Sequence, residues 1–162
     1  MTTDANSDFW SRIGDVQAGM LGLANDGGKL VPMSPALRDE PDGKIWFISA
    51  AGEDLVTDTA SMNALPARFV IADAKSGIYA NIEGILAQVE DDAVLDELWN
   101  IMASAIFDGE KEDEDIRLLA FTPQMAGAWF STTSGVKFLY EIAKAKVTGA
   151  KPNMGYQADL TF

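Results

Sequence analysis

The chain contains no cysteine and no histidine. The first absence excludes a disulfide framework, a thiol nucleophile and a thiolate metal site. The second removes the usual general base, the usual triad partner and the commonest transition-metal ligand. Most hydrolase and zinc-enzyme readings fall with them, and no metal site is expected. Long apolar runs are missing as well: none approaches the ~18 residues that suggest a membrane span. The opening MTTDANSDFW is acidic and polar where an export signal carries a basic segment followed by an apolar one. A cytoplasmic protein without a membrane partner is the expectation. Basic residues are scarce, twelve Lys and Arg against twenty-five Asp and Glu, for a formal charge of -13. Such a field repels polyanions, which argues against nucleic acid, and it disfavours small anionic ligands unless local donors overcome it.

What is present is ordinary for a folded protein. Apolar residues make up 48% and charged residues 23% of 162 positions, a composition far from that of disordered chains. One domain over 1–162 with one hydrophobic core is expected.

Along the chain, Ser7 is a candidate N-cap, and Phe9, Trp10 and Ile13 follow at spacings that put them on one helical face. Residues 18–24 read as a strand and 29–37 as a second, joined by Asn25-Asp26-Gly27-Gly28. Pro32 and Pro35 make the second strand an edge or an interrupted ladder, because neither donates a hydrogen bond. Residues 44–49 alternate into a third strand with apolar side chains on both faces. A helix is predicted over 54–65 and ended by Pro66. Strands over 68–72 and 78–90 follow, with Gly84 marking a bulge. Leu95, Leu98, Trp99 and Met102 define an amphipathic helix behind the Asp91-Asp92 cap. Strands over 116–122 and 125–130, separated by Pro123, precede a helix over 136–146 stopped by Gly149. The tail from Lys151 receives no assignment. Six or seven hairpin-connected strands with short helices indicate an α+β fold or a helix-decorated barrel.

Four constellations could carry chemistry, each beside a plainer reading. Leu30-Val31-Pro32-Met33-Ser34 could expose backbone groups to a planar ligand, or be an edge strand. Ile48-Ser49-Ala50-Ala51-Gly52-Glu53-Asp54 runs into a helix whose N-H groups attract anions, although Glu53 and Asp54 already cap that end. The acidic run 108–115 lacks the ligand spacing of a calcium loop and reads as solvated. Among Trp99, Phe107, Trp129 and Phe130, Trp129 could cover a ring system, and core packing is the simpler role.

Taken in order, several of these pieces resemble the general stress protein 26 group of the pyridoxamine 5'-phosphate oxidase-like superfamily. They are Gly27-Gly28, Pro32-Met33-Ser34, Asp42-Gly43, Ile45-Trp46-Phe47-Ile48-Ser49, Val56, Asn63 and Asn81-Ile82-Glu83-Gly84. Asp96-Glu97-Leu98-Trp99, Phe107-Asp108-Gly109, Leu118-Leu119, Thr122-Pro123 and Trp129 continue the series. The likeness is strongest over residues 9–131, with 132–162 as a C-terminal helix and tail.

The resemblance implies a mainly β protein: a six-stranded, Greek-key split β-barrel with peripheral helices that dimerises and holds flavin mononucleotide (FMN) in clefts at the subunit interface. It implies a flavin-dependent oxidoreductase of the general stress type, with a non-enzymatic stress or binding protein of the same fold as the alternative. The flavin does the redox work and the polypeptide positions it, so the missing His and Cys are no obstacle. The cofactor contacts it points to are Val31, Pro32, Met33, Ser34, Ile48, Ser49, Ala50, Asp54, Leu55 and Trp129; it names no catalytic residue. Two positions depart from the family pattern. Val31 stands where an Arg, and Leu55 where a Lys, usually meets the flavin phosphate. Lys29, Arg38 and Arg68 are the remaining candidates for that contact.

Overall fold

The computed structural model describes residues 4–25, 27–51, 53–60, 64–102, 115–131 and 135–162. Helix α1 (Ala5–Ile13) is capped by Asp4 and not by Ser7: the Asp4 carboxylate accepts from the Asn6 N-H at 3.2 Å, and Ser7 falls inside the helix. Phe9 and Ile13, one turn apart, are fully buried, as their spacing predicts. Strands β1 (Gly19–Leu23) and β2 (Val31–Met33) form the expected hairpin, with Gly27 and Gly28 at positive φ in the turn. Strand β2 is only three residues long and lies at the edge of the sheet, with Pro32 inside it opposite Met20 and Pro35 two residues past its end.

The remaining elements are β3 (Ile45–Ala50), α2 (Asp54–Ala60), β4 (Leu65–Asp73), β5 (Ile78–Val89), α3 (Asp92–Met102), β6 (Ile116–Ser131), α4 (Gly135–Thr148) and β7 (Gly155–Thr161). Seven antiparallel strands make one sheet in the order β2-β1-β4-β5-β6-β3, with β7 also on β6. The sheet curls until its two ends meet at a single bridge, where Ala36 and Trp46 exchange N-H···O bonds of 2.8 and 2.9 Å. No ladder joins β2 to β3 beyond that bridge among the described residues. This is the split barrel.

Two prolines behave differently from the sequence reading, for reasons of hydrogen-bond direction. Pro66 does not end a helix; it lies in β4, after Leu65. Its carbonyl accepts from the Ala24 N-H at 2.9 Å, so its missing N-H falls on the β1 side, just past the end of β1, and not in the β5 ladder. Pro123 does not split β6 either. Strand β3 pairs with β6 through Phe121, and β7 takes over from Met125, so Pro123 lies where one edge of β6 has no partner strand among the described residues. On the other edge the register with β5 shifts at Glu83/Gly84. A Cβ on Gly84 would collide with the Thr122 carbonyl oxygen, which is why the bulge carries glycine.

The barrel interior is filled by Phe47, Phe69, Phe121, Phe130 and aliphatic neighbours, with α1 packed against it through Phe9 and Ile13. A second cluster lies outside the barrel, where Val94 and Leu98 of α3 cover Trp46, Leu118 and Ala120. The two apolar faces of β3 are thereby explained: Ile45 and Phe47 point in, Trp46 and Ile48 point toward α3. The unassigned tail is strand β7. It buries Leu160, packs Ala158 on the core and places the Phe162 ring 4.9 Å from that of Phe9.

Candidate functional site

The split brings together most of the residues singled out in the sequence. Val31 and Met33 are half-buried and pack on the barrel core, Pro32 is exposed, and Ser34 continues β2 toward the Ala36 bridge. On the facing strand Ser49 is buried and lies opposite Arg117 of β6, while Ala50 leads into the turn before α2. Ile48 is turned away: its side chain belongs to the cluster beneath α3, so only its backbone faces the split. Strand alternation dictates this, because Ser49 points into the barrel and its neighbour cannot.

Helix α2 closes this end with two contrasting residues. Leu55 is only 6% exposed and sits in the core, with its carbonyl accepting from the Thr59 hydroxyl at 2.6 Å. Asp54 is exposed, and its carboxylate forms an ion pair with the ammonium of Lys29, the residue two before β2. That pair ties the start of α2 to the approach to β2. It was not legible in the sequence, because nothing local relates positions 25 residues apart.

The other two basic candidates, Arg38 and Arg68, are engaged elsewhere, and Arg117 of β6 bonds to its own strand. Arg38 meets Glu97 at 3.0 Å and Asp42 at 3.9 Å. The Glu97 carboxyl is held below the usual range by the Asp39 N-H and then by Arg38, whose own pKa is raised by the same bond. Arg68 pairs with Glu83 at 3.1 Å on the outer face of the sheet. Arg117 donates from Nη1 to the Ile116 carbonyl at 2.9 Å.

Trp129 is not part of this group within one chain. It lies twelve residues along β6 from Arg117, about 40 Å of extended strand. There it stands on the outer face, 50% exposed, between Tyr79 of β5 and Gln157 of β7. These residues, with Met154 and Tyr156, line an open cleft of about 650 Å³. Its neighbour Phe130 is buried, so the aromatic pair divides between surface and core. Tyr79 and Gln157 were missed in the sequence, although Tyr79 sits at an outward position of a visibly alternating strand. Phe107 and residues 108–114 of the acidic run lie outside the described residues. No group of three or more potential metal ligands occurs among the described residues. No helix among them is long and apolar enough to cross a membrane.

Comparison with known proteins gives a consistent result. The profile of the family described as pyridoxamine 5'-phosphate oxidase like matches residues 4–153. A solved structure from Jannaschia sp. bearing the name general stress protein 26 is 44% identical, with a TM-score of 0.88 over 99% of this chain and 100% of that one. A general stress FMN/FAD binding protein from Xanthomonas citri is 26% identical, with a TM-score of 0.67 over 78% of this chain and 88% of that one. The general stress protein 26 of Bacillus anthracis shares the fold at 16% identity, with a TM-score of 0.60 over 75% of this chain and 91% of that one. No curated protein matches the sequence.

Proposed function

Since the chain belongs to the pyridoxamine 5'-phosphate oxidase like family, we propose that it is a flavin-binding protein: one split-barrel unit acting in the cytoplasm as a homodimeric oxidoreductase of the general stress type. The observation that carries this reading is the split itself. Past the Ala36–Trp46 bridge, no ladder joins the edges of β2 and β3 among the described residues. Backbone groups of 31–34 and 48–50 at such an edge suit the hydrogen-bonding rim of a planar heterocycle, and Val31, Met33 and Leu55 give it apolar contact. The relative from Xanthomonas citri is named as an FMN/FAD binding protein, which supports the same choice of ligand.

The isoalloxazine ring fits these residues; a phosphate does not. None of the candidate contact residues is basic, and the one carboxylate among them, Asp54, already holds Lys29. Bound flavin supplies electron and hydride transfer that the polypeptide lacks the groups to perform. The chain's part is to present the strand edges, exclude water with Leu55 and the barrel core, and keep the ring fixed. In the dimer of this proposal, Trp129 of the partner subunit covers the ring, which accounts for an exposed indole far from the split of its own chain.

The test is the visible spectrum of freshly purified protein, followed by quenching of flavin fluorescence. Bound flavin absorbance or saturable quenching is expected, and the absence of both at high flavin concentration rejects the reading. Light scattering should give twice the monomer mass. A second reading, a flavin-free or non-enzymatic stress protein, is favoured by the packing of Val31 and Leu55 into the core. Turnover of loaded protein with a nicotinamide donor and oxygen marks an enzyme; binding without turnover marks the alternative.

A further inference from the structure

Lys29 and Asp54 form an ion pair between the residue two before β2 and the first residue of α2. On either side of it the chain is apolar: Val31 packs on the core from β2, and Leu55 is buried from α2. Glu53, also exposed, adds a second carboxylate beside Asp54. Arg38 and Arg68 are bound to Glu97 and Glu83. An anionic tail placed against the approach to β2 or the start of α2 therefore meets an ammonium already neutralised by the chain, with carboxylates beside it. An uncharged tail on the same ring meets none of this repulsion.

We propose, resting on the flavin reading above, that Asp54 is a specificity-determining residue and that the site selects flavin with an uncharged ribityl tail over flavin carrying a terminal phosphate. The effect is electrostatic exclusion, with Asp54 occupying the counter-charge that a phosphate needs. A preference of about tenfold, equal to ~1.4 kcal/mol, is expected where a dianion meets an already neutralised ammonium with the Glu53 carboxylate beside it.

The experiment titrates the full-length protein with riboflavin and with FMN, which differ only in the phosphate, and reads dissociation constants by fluorescence quenching. Wild type should bind riboflavin about tenfold tighter than FMN. Asp54→Asn, an exposed substitution, should tighten FMN relative to riboflavin at least threefold by removing one carboxylate beside Lys29. Lys29→Gln should weaken FMN further and leave riboflavin unchanged. Raising the salt to about 1 M, where the Debye length is ~3 Å, should narrow the wild-type preference. Equal or tighter FMN binding in wild type, an unchanged ratio in Asp54→Asn, or a ratio indifferent to salt each overturns the assignment. Failure of both flavins to bind is a different result: it rejects the flavin reading itself.

Discussion

At the split, the residues that converge are small, apolar or charge-paired; at the far end of β6, Trp129, Tyr79 and Tyr156 stand partly in solvent. The first region is shaped by what the barrel needs: Leu55 and Val31 complete the core, and Asp54 holds Lys29. The second has aromatic surface beyond what its own core requires, since Phe130 on the opposite face already fills the interior. The difference teaches that at the split the side chains are spent on packing and pairing within the chain, leaving mainly backbone edges to a ligand, whereas the far end offers aromatic side chains to something outside it.

The comparison can be broken first at the split. Phe47 is fully buried beneath the split, with its ring 5.0 Å from that of Phe69. Phe47→Ala should lower unfolding free energy in urea by about 3–5 kcal/mol. Leu55→Lys is the next largest. A family-like cation placed at a 6% exposed core position should destabilise the protein by about 2–4 kcal/mol through lost packing and ammonium desolvation. A neutral result would show that position 55 opens to solvent and that its commitment to the core is overstated.

Smaller effects sharpen the other end. The Tyr156 hydroxyl donates to Asp8 at 2.7 Å, joining β7 to α1. Tyr156→Phe should cost about 0.5–1.5 kcal/mol. Burial and then the Asp8 bond raise the Tyr156 pKa from 10.0 to about 12. The neutral phenol is the form favoured by folding, so its contribution is complete below pH 10 and declines between pH 10 and 12 as the unfolded chain ionises first. An alkaline stability scan should show that decline in wild type and lose it in Tyr156→Phe. The smallest effect is expected for Trp129→Ala: within about 0.5 kcal/mol on monomer unfolding, as for exposed positions without special contacts, yet with weakened self-association by light scattering. A large loss of monomer stability would place Trp129 with the core and erase the contrast.

Much of the sheet was legible because its residues alternate. The apolar pattern of β3 on both faces announced a strand covered from both sides, and Trp46 and Phe47 now divide between α3 and the barrel. The Asp91 cap is present as read, its carboxylate accepting from the Val94 N-H at 3.1 Å. Pro66 and Pro123 were misread because the effect of a proline depends on which edge of the strand lacks a donor, and that is a property of the neighbouring strand. Strand β7 carried a signal that went unused: Ala158 and Leu160 alternate inward against Gln157, Asp159 and Thr161. At the site, the apolar character of positions 31 and 55 was visible, but their packing was not. The Lys29–Asp54 pair and the outward turn of Ile48 depend on contacts between distant segments, which no local pattern encodes.

A sixteen-residue strand such as β6 is an aggregation hazard, since an open edge of that length can recruit a foreign strand. Here β3 and β7 divide one edge between them, and the short interval they leave contains Pro123. The Gln124 carbonyl within it is taken by the Phe162 N-H at 3.1 Å. The gap that lets two strands share one edge is thus filled by the residue least able to accept a third, which protects the sheet from unwanted polymerisation without requiring a surface charge.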